Sequence, residues 1–208
     1  MSEIGGPIDD GGIAPREDPF ALFDAWFAEA KKSEPSEPDA MCVASVDEHG
    51  HPNARMVLLK EANPNGFVFF TNYESAKGRE YLANPRAALC FLWKSIGKQV
   101  RVRGSIEKVS EAESDAYFAT RAKDSQIGAW ASRQSRPLEG RFAFEKEIAK
   151  YAGKYALATV PRPPYWGGFR VTPLEIEFWR NRPFRLHDRL VYRRDTAASP
   201  WRTERLFP

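Results

Sequence analysis

The chain has 208 residues, of which 42% are hydrophobic and 28% are charged, a composition typical of a folded globular protein with a sizeable core. No run of about 18 apolar residues occurs, so the sequence predicts no membrane-spanning helix. The net charge of +3 is only weak evidence for a nucleic-acid partner. Because the first residues lack secretory-signal features and two cysteines make no disulfide framework, we expect the cytoplasm as the compartment.

The N-terminal region divides into a polar segment and a helix. Residues 1–17 are rich in Gly, Asp and Pro, which predicts a mobile arm. Asp18 and Pro19 suit the N-cap and the first position of a helix. Apolar residues follow at helical spacing, so an amphipathic helix is predicted to about Lys32.

Short apolar segments separated by turn signals predict five strands in the first half of the chain, at residues 41–46, 53–60, 67–71, 86–93 and 99–109. The tight turns that join the first three of these strands predict an antiparallel meander. A short helix is expected at residues 75–83, because Asn84 and Pro85 end it.

The second half begins with helices and closes with strands. Ser110 and Glu113 have the spacing of a capping box that opens a helix. Two more helices are expected, one to about residue 131 with Asp124 or Ser125 as its cap, and one over residues 138–155. Closing strands are expected at residues 168–171, 174–180, 189–194 and 201–206. This order favours an α+β fold with an antiparallel sheet or barrel, and no G-x-G-x-x-G motif supports a Rossmann site.

Familiar catalytic and metal-binding patterns are missing from the sequence. His49 and His51 flank a turn glycine with no completing ligand cluster, so a solvated turn is favoured over a metal site. Cys42 and Cys90 lie in apolar strand patterns and are expected to be inert thiols. No nucleophile elbow or P-loop motif occurs, so hydrolase and NTPase functions have no support.

Basic and polar residues at strand ends and helix starts are the remaining candidates. Arg55 and Lys60 bracket an apolar strand and point to opposite faces, and for these two alone solvated strand ends are favoured. The strand-to-helix junction at residues 71–77 offers backbone N–H groups, hydroxyls and Lys77 as a phosphate cradle, although ordinary capping fits equally well. Gln99 shares one strand face with two arginines, where a solvated surface and a ligand site are equally compatible.

Two further sets combine cationic groups with hydroxyl or imidazole groups. Tyr117 and Arg121 lie four residues apart on one helix face and Ser125 follows at the next helix start, which suits either a phosphate site or a surface pair with a cap. The other set alternates along a segment expected to be extended, so its side chains point the same way: Arg185, His187 and Arg189. Three converging groups of this kind favour an anion-binding function.

Six segments together resemble the pyridoxine/pyridoxamine 5′-phosphate oxidase family over roughly residues 18–208. These segments are RMVLLK (55–60), FFTNYESAKG (69–78), the stretch from NPR to QVRVRG (84–104), DSQIGAWASRQS (124–135), PPYWGGFRV (163–171) and EIEFWRNRPFRLHDRLVYRR (175–194). The combination of WGGFRV with EFW and RLHDR is specific to this family. It separates the chain from smaller split-barrel flavin-binding proteins.

The resemblance implies a split β-barrel, with one domain over residues 18–208, that forms a homodimer with FMN at the subunit interface. It places the FMN contacts on Arg55, Met56, Val57, Leu58, Leu59, Lys60, Phe70, Thr71, Lys77, Gln99, Gln134, Ser135, Trp179 and Arg189. The expected substrate contacts are Lys60, Tyr117, Arg121 and Ser125 at the phosphate, and Arg185, Leu186 and His187 at the ring.

Arg185 and His187 are the expected catalytic residues. With FMN between the subunits, Gln134 and Ser135 are expected to reach a flavin held mainly by Lys77 and Arg55 of the other chain.

The activity implied by the resemblance is FMN-dependent synthesis of pyridoxal 5′-phosphate. Hydride passes from C4′ of pyridoxine 5′-phosphate or pyridoxamine 5′-phosphate to FMN, O2 reoxidises the flavin with release of H2O2, and the amine substrate also releases NH3. Because the flavin performs the redox step, no metal, catalytic cysteine or triad is required. Neither nucleic acid nor a membrane is expected as a partner.

Two departures from the family pattern affect these expectations. Ala76 stands where the family commonly has an arginine between Ser75 and Lys77, which removes a charge-assisted hydrogen bond to the FMN phosphate worth ~1.5–3 kcal/mol. The N-terminal segment lacks the Arg-Arg-x-Tyr stretch that some members fold over the substrate, so no lid residues are assigned.

Two other functions stay open from the sequence. One is a non-catalytic flavin- or vitamer-binding split-barrel protein, for which Ala76 would be a sign of drift. The other is a basic β-barrel that binds nucleic acid, which strongly salt-dependent DNA affinity would reveal.

Overall fold

An antiparallel sheet surrounded by helices forms the part of the chain that the computed structural model describes, residues 12–140 and 142–208. The helices within this part are α1 (Pro19–Ser33), α2 (Ala76–Ala83), α3 (Glu111–Thr120), α4 (Lys123–Ala131) and α5 (Ala143–Lys154). The strands are β1 (Ala40–Val46), β2 (Pro52–Leu58), β3 (Glu61–Asn63), β4 (Gly66–Asn72), β5 (Arg86–Trp93), β6 (Lys98–Lys108), β7 (Trp166–Arg180), β8 (Asp188–Arg193) and β9 (Arg202–Arg205).

The strand order is β2-β1-β5-β6-β7-β4-β3, and β8 pairs with both β7 and β9. This curled antiparallel sheet confirms the α+β split-barrel prediction. The predicted meander is wrong in its third strand, because β4 pairs with β7 and β3 rather than with β2. Nearly every residue of β4 is buried, so this strand requires cover on both faces and lies inside the sheet rather than at the edge of a hairpin.

Helix α1 covers one end of the barrel and supplies much of its aromatic core. As predicted, Asp18 caps the helix, its side chain accepting a hydrogen bond from the Phe20 N–H at 2.9 Å. The ring of Phe23 is fully buried and lies 5.1 Å from the ring of Phe67, 5.2 Å from Phe91 and 5.9 Å from Trp93, centroid to centroid. These contacts join α1 to β4 and β5.

The segment before α1 is packed against the sheet. Ile13 is buried, and the Arg16 N–H donates a hydrogen bond of 2.8 Å to the hydroxyl oxygen of Tyr192. The expectation of a mobile arm over residues 1–17 therefore does not hold for Ile13 and Arg16, since the apolar side chain and the backbone polar group both have partners. Residues 1–11 lie outside the described part of the chain.

Strand β7 is one continuous element where two strands were expected, at residues 168–171 and 174–180. A bulge opposite Arg103 and Gly104 carries it past Pro173 without a break. A Cβ atom on Gly104 would lie 2.0 Å from the carbonyl oxygen of Thr172, so only glycine permits this close approach.

The helices between β6 and β7 follow the sequence prediction in part. The capping box of Ser110 and Glu113 is present. Helix α4 begins at Lys123 without a side-chain cap, so the predicted capping by Asp124 or Ser125 is wrong. Helix α5 starts at Ala143, later than expected, because residues 138–140 are irregular and do not adopt helical structure. Within the described residues, every helix is too short or too polar to cross a membrane.

Replacing Phe23 by Ala is expected to lower the free energy of unfolding by ~3–5 kcal/mol, because it empties the contact between α1 and the sheet. Denaturant titration followed by circular dichroism measures this loss. Leu157→Ala is the matched control, since Leu157 is fully exposed and its loss should change the free energy by less than ~0.5 kcal/mol. Equal effects of the two substitutions would contradict the assigned core.

Candidate active site

A cavity of about 660 Å³ opens between β2, β4, the start of α2 and the helices α3 and α4, a volume within the usual range for small-molecule sites. Strand β2 contributes Met56, Val57 and Leu58 to its wall, and β4 contributes Phe70 and Thr71. The remaining polar lining includes Lys60, Lys77, Tyr117, Arg121, Ser125 and Gln134. Eleven residues proposed from the sequence as flavin or substrate contacts thus share one cavity.

Lys77 places a buried positive charge at one end of the cavity. Its side chain is only 8% exposed, and its Nζ donates hydrogen bonds to Gln134 Oε1 at 3.2 Å and to Ser75 Oγ at 3.5 Å. Burial, reinforced by the positive charge of Arg55, lowers the pKa of Lys77 to about 8. Since its hydrogen-bond partners among the described residues are neutral, an anion bound here would stabilise the ammonium form.

Arg55 lies behind this end of the cavity and does not line it. Its Nη1 donates to Ser45 Oγ at 2.6 Å, and its Nη2 lies 3.2 Å from Glu80 Oε2. Arg55 therefore acts on the cavity through its charge near Lys77. Leu59, another expected flavin contact, is buried in the core and is likewise outside the lining.

Aromatic rings and a guanidinium form the opposite wall. Phe70 stacks on Tyr117 with 4.0 Å between ring centroids, and Arg121 lies over the Trp166 ring at 4.7 Å. Nη1 of Arg121 is buried and has no hydrogen-bond partner among the described residues. Burial lowers the pKa of Arg121, yet a guanidinium remains charged, so this wall presents a second cation that an anion can satisfy.

Lys60 also lines the cavity, but it is paired. Its Nζ lies 3.0 Å from Asp39 Oδ2, and both side chains are partly exposed. A ligand phosphate that engages Lys60 therefore competes with Asp39 for the ammonium group.

Gln134 belongs to the same chain's cavity, which corrects the expected arrangement. Its amide oxygen accepts hydrogen bonds from Lys77 and, at 3.4 Å, from Thr71 Oγ1. Gln134 was expected to reach a flavin held mainly by Arg55 and Lys77 of the other chain, but it lies beside Lys77 of its own chain, because the segment after α4 folds back onto β4. Ser135 follows with a positive φ of 69° and lies outside this cavity.

A second group of expected site residues lies away from the cavity, around β6, β7 and β8. Gln99 is opposite Trp179 in the register of β6 and β7, and Trp179 is opposite Arg189 in that of β7 and β8. Together with Arg185, Leu186 and His187, these residues make up what we call the C-terminal group. None of the six lines the cavity.

The expected extended geometry of residues 185–189 is wrong. Phe184 and Arg185 have positive φ angles of 57° and 61°, and residues Pro183–Arg185 form a short 3-10 turn. The turn breaks the two-residue alternation, so Arg185, His187 and Arg189 do not project from one strand face. The His187 ring instead packs against Trp179, 4.7 Å between ring centroids.

A buried carboxylate lies beneath the C-terminal group. Glu177 is only 3% exposed, and its carboxylate is held between Arg189 Nε at 2.8 Å and Arg101 Nη2 at 3.1 Å. The hydrogen bond from Arg189 to Glu177 raises the pKa of that guanidinium. Within this group Leu186 is exposed, and Met56 on β2 is exposed as well.

The sequence analysis missed six residues of the cavity lining, three of them small residues at or near α4 (Ala122, Gly128 and Ala129) and three with larger or polar side chains. Trp166 lines it beneath Arg121, and Asn72 and Ser132 line it where the side-chain amide of Asn72 donates to the Ser132 carbonyl oxygen at 3.3 Å. A signal for Trp166 was present, since this residue opens the WGGFRV segment. The contact between residues 72 and 132 is long-range and leaves no local pattern.

Binding of inorganic phosphate is expected to draw a proton onto Lys77. At pH 8.5 about three-quarters of a lysine with a pKa near 8 is neutral, and an adjacent anion raises that pKa, so uptake approaches about 0.7 proton per phosphate. Calorimetry in two buffers of different ionisation enthalpy measures the uptake. Lys77→Gln should abolish it, whereas Lys150→Gln, on exposed α5, should not. Unchanged uptake in Lys77→Gln would contradict the assignment.

Two family models match most of the chain. A model described as pyridoxamine 5′-phosphate oxidase matches residues 27–155, and one described as the pyridoxine 5′-phosphate oxidase C-terminal dimerisation region matches residues 166–208. The second match contains the whole C-terminal group except Gln99.

Curated relatives and solved structures agree with these models. Pyridoxine/pyridoxamine 5′-phosphate oxidases from Brucella canis and Brucella abortus strain 2308 are each 59% identical over 191 residues, covering 92% of this chain and 94% and 92% of those proteins. PhzG from Burkholderia lata, solved with tetrahydrophenazine-1-carboxylic acid, is 31% identical with a TM-score of 0.88, covering 93% of this chain and 94% of that one. An FMN-binding protein from Nostoc punctiforme shares the fold at 17% identity and a TM-score of 0.72, covering 92% and 98%. The chain belongs to the pyridoxine/pyridoxamine 5′-phosphate oxidase family.

Proposed function

We propose that this protein oxidises pyridoxine 5′-phosphate and pyridoxamine 5′-phosphate to pyridoxal 5′-phosphate with FMN as its cofactor. The observation that carries the proposal is the cavity lined by the buried Lys77 and by Arg121, whose Nη1 is buried, with no carboxylate hydrogen-bonded to either group among the described residues. Two such cations suit a site for two phosphate groups, one on the flavin and one on the substrate. The 59% identity with proteins named for this activity supports the same conclusion.

The Lys77 end of the cavity suits the FMN phosphate. Ser75 caps α2, so Lys77 lies in the first helical turn, where unpaired backbone N–H groups and the helix dipole favour an anion. Arg55 adds a second positive charge nearby, although Ala76 leaves the position between Ser75 and Lys77 without the expected arginine. The edge of β2 at Met56, Val57 and Leu58, with Phe70, Thr71 and Gln134, would hold the rest of the flavin.

The Arg121 wall suits the substrate phosphate. Tyr117 and Ser125 place hydroxyl groups in the same cavity as Arg121, and Lys60 reaches it from the end of β2. These four side chains bind the phosphate of the substrate, which remains unchanged in the reaction. They therefore contribute nearly equally to ground-state and transition-state binding.

The redox chemistry would be supplied by FMN, as the acceptor of a hydride from the substrate, with O2 as the final oxidant and H2O2 as its product. The chain's own residues bind both phosphates, orient the substrate carbon toward the flavin and exclude water with the stacked rings of Phe70 and Tyr117. With the amine substrate, hydride loss gives an imine, and water hydrolyses that imine to the aldehyde with release of NH3.

A second subunit completes the site in this proposal. The C-terminal group does not reach its own chain's cavity, and the C-terminal family match is to a dimerisation region, which supports a homodimer. Arg185, Leu186 and His187 of one subunit would then cover the substrate ring held by the other. Gln99, Trp179 and Arg189 would contact the flavin from the same side.

Arg185 and His187 have distinct roles in this arrangement. Nδ1 of His187 accepts a hydrogen bond from the backbone N–H of Arg182 at 3.2 Å, which leaves Nε2 as the site of the ring proton in the neutral tautomer. His187 can thereby donate from Nε2 to the ring oxygen of the substrate. Arg185, always charged, orients the ring and stabilises a deprotonated ring oxygen.

The unbonded thiols of Cys42 and Cys90 suit a reducing compartment, and we propose the cytoplasm.

Aerobic turnover tests the proposed function. Purified protein supplied with FMN should be yellow and should convert both phosphorylated vitamers to pyridoxal 5′-phosphate, with one H2O2 per product. Yellow protein without turnover would favour a non-catalytic flavin- or vitamer-binding protein. Colourless protein that binds DNA with strong salt dependence would favour the nucleic-acid alternative.

Arg185→Ala is expected to lower kcat/KM about 100-fold or more while the protein stays yellow, because it removes an interaction with the reacting ring. His187→Ala should cost less and should change the pH profile of kcat/KM. Steady-state kinetics and flavin absorbance measure both effects, and Arg202→Ala, an exposed arginine paired with Asp195, is the control. Near-wild-type kinetics, or loss of FMN as readily as of substrate, would remove Arg185 from the substrate site.

A further inference from the structure

Arg121 is held in the cavity wall by an aromatic surface rather than by a carboxylate. Its guanidinium carbon lies 4.7 Å from the Trp166 ring centroid and 5.7 Å from that of Phe118. Nη1 is buried without a hydrogen-bond partner among the described residues. An arginine side chain has several rotatable bonds and loses substantial entropy when it is fixed, so its placement here depends on the rings beneath it.

Trp166 is itself fixed from three sides. It is only 7% exposed, and its ring is stacked with Phe70 at 5.4 Å and 12° and meets Phe118 edge-on at 5.1 Å. Its carbonyl oxygen accepts a hydrogen bond of 2.7 Å from Arg162 Nη1. The indole is therefore a rigid platform between the sheet and α3.

The two glycines after Trp166 make this stacking possible. A Cβ atom on Gly168 would lie 2.9 Å from the Phe70 ring, and one on Gly167 would lie 2.2 Å from the hydroxyl of Tyr73. Because larger residues would displace these rings, the Trp-Gly-Gly sequence lets β7 pass close to β4 while the indole stays in the stack.

We propose that Trp166 is a positioning residue for the substrate phosphate, acting through a cation–π contact that holds Arg121 toward the cavity. A tryptophan face is the most favourable aromatic partner of a guanidinium, and the contact strengthens when it is shielded from water. Unlike a carboxylate, the indole leaves the charge of Arg121 uncompensated, so the full charge is available to a dianionic ligand. This inference rests on the proposed function, because it takes the phosphate bound by Arg121 to be that of the substrate.

If Trp166 positions Arg121, replacing Trp166 should raise KM and leave kcat nearly unchanged. Trp166→Leu keeps an apolar side chain but removes the aromatic face, and it should raise KM for pyridoxine 5′-phosphate about 5- to 20-fold. The value of kcat should stay within about twofold, because phosphate binding is uniform between ground and transition states. Trp166→Phe keeps a smaller face and should rescue most of the loss.

A double-mutant cycle separates positioning from general damage. In an Arg121→Ala background, Trp166→Leu should weaken substrate binding by less than about twofold, because the group that it positions is already absent. Trp130→Leu is the matched control, since Trp130 packs among Tyr151, Tyr155 and Tyr165 and does not line the cavity. It should leave KM unchanged.

Calorimetric titration of the flavin-loaded protein with inorganic phosphate gives a readout independent of turnover. Phosphate affinity should fall about 5- to 20-fold in Trp166→Leu and little further in the double variant. If Trp166→Leu does not fold, the cycle of Trp166→Met with Arg121→Ala decides by the same criterion, because methionine also fills the site without an aromatic face. Additive losses, or a fall in kcat with unchanged phosphate affinity, would overturn the proposal. A wild-type protein that binds phosphate but shows no turnover would count against the proposed function alone.

Discussion

Burial of positive charge without a matching carboxylate is the interaction on which the site depends. Moving a cation out of water is costly unless a partner compensates it, yet Lys77 and Arg121 are held in one cavity with only neutral oxygens or aromatic faces as partners among the described residues. The low pKa of Lys77 measures this cost. Phosphate-bearing ligands would offset this cost, which would favour them over neutral ligands.

The sheet determines which residues share that cavity and which do not. Because β4 lies inside the sheet beside β7, Phe70 comes next to Trp166, and the adjoining start of α2 places Lys77 at the other end. The C-terminal group lies on β6, β7 and β8, where Glu177 draws Arg189 and Arg101 together. The two groups of residues thus lie apart on a single chain, and the proposed homodimer would bring one group of each subunit beside the other group of its partner.

The local elements were largely predictable from the sequence, and the long-range arrangement was not. The Asp18 cap and the Ser110–Glu113 capping box depend on neighbouring residues, so their patterns are visible in the chain. The pairing of β4 with β7 joins segments about a hundred residues apart and leaves no periodic signal. The turn at Phe184 and Arg185 requires positive φ angles at non-glycine residues, which no local rule predicts.

The candidate site shows the same division. Resemblance to a family suggested Lys60, Tyr117, Arg121 and Ser125 as one phosphate site, and these four residues line one cavity, whereas spacing alone left a surface pair equally compatible. It did not reveal that Gln134 bonds to Lys77 of its own chain, because that depends on how the segment after α4 folds back. Trp166 was not assigned to the site because its contacts with Phe70 on β4 and with Phe118 and Arg121 at α3 join distant parts of the sequence.

A subunit-complementation experiment tests the shared site most directly. Arg121→Ala removes a residue from the cavity, and Arg185→Ala removes one from the C-terminal group, so at substrate concentrations well below KM each homodimer should show little activity. A heterodimer of the two variants, purified through two different affinity tags, contains one site with both arginines if each site uses two chains. We expect it to recover about half of the wild-type activity with both vitamers. A heterodimer as inactive as its parents would show that each site is built from one chain and would contradict the account.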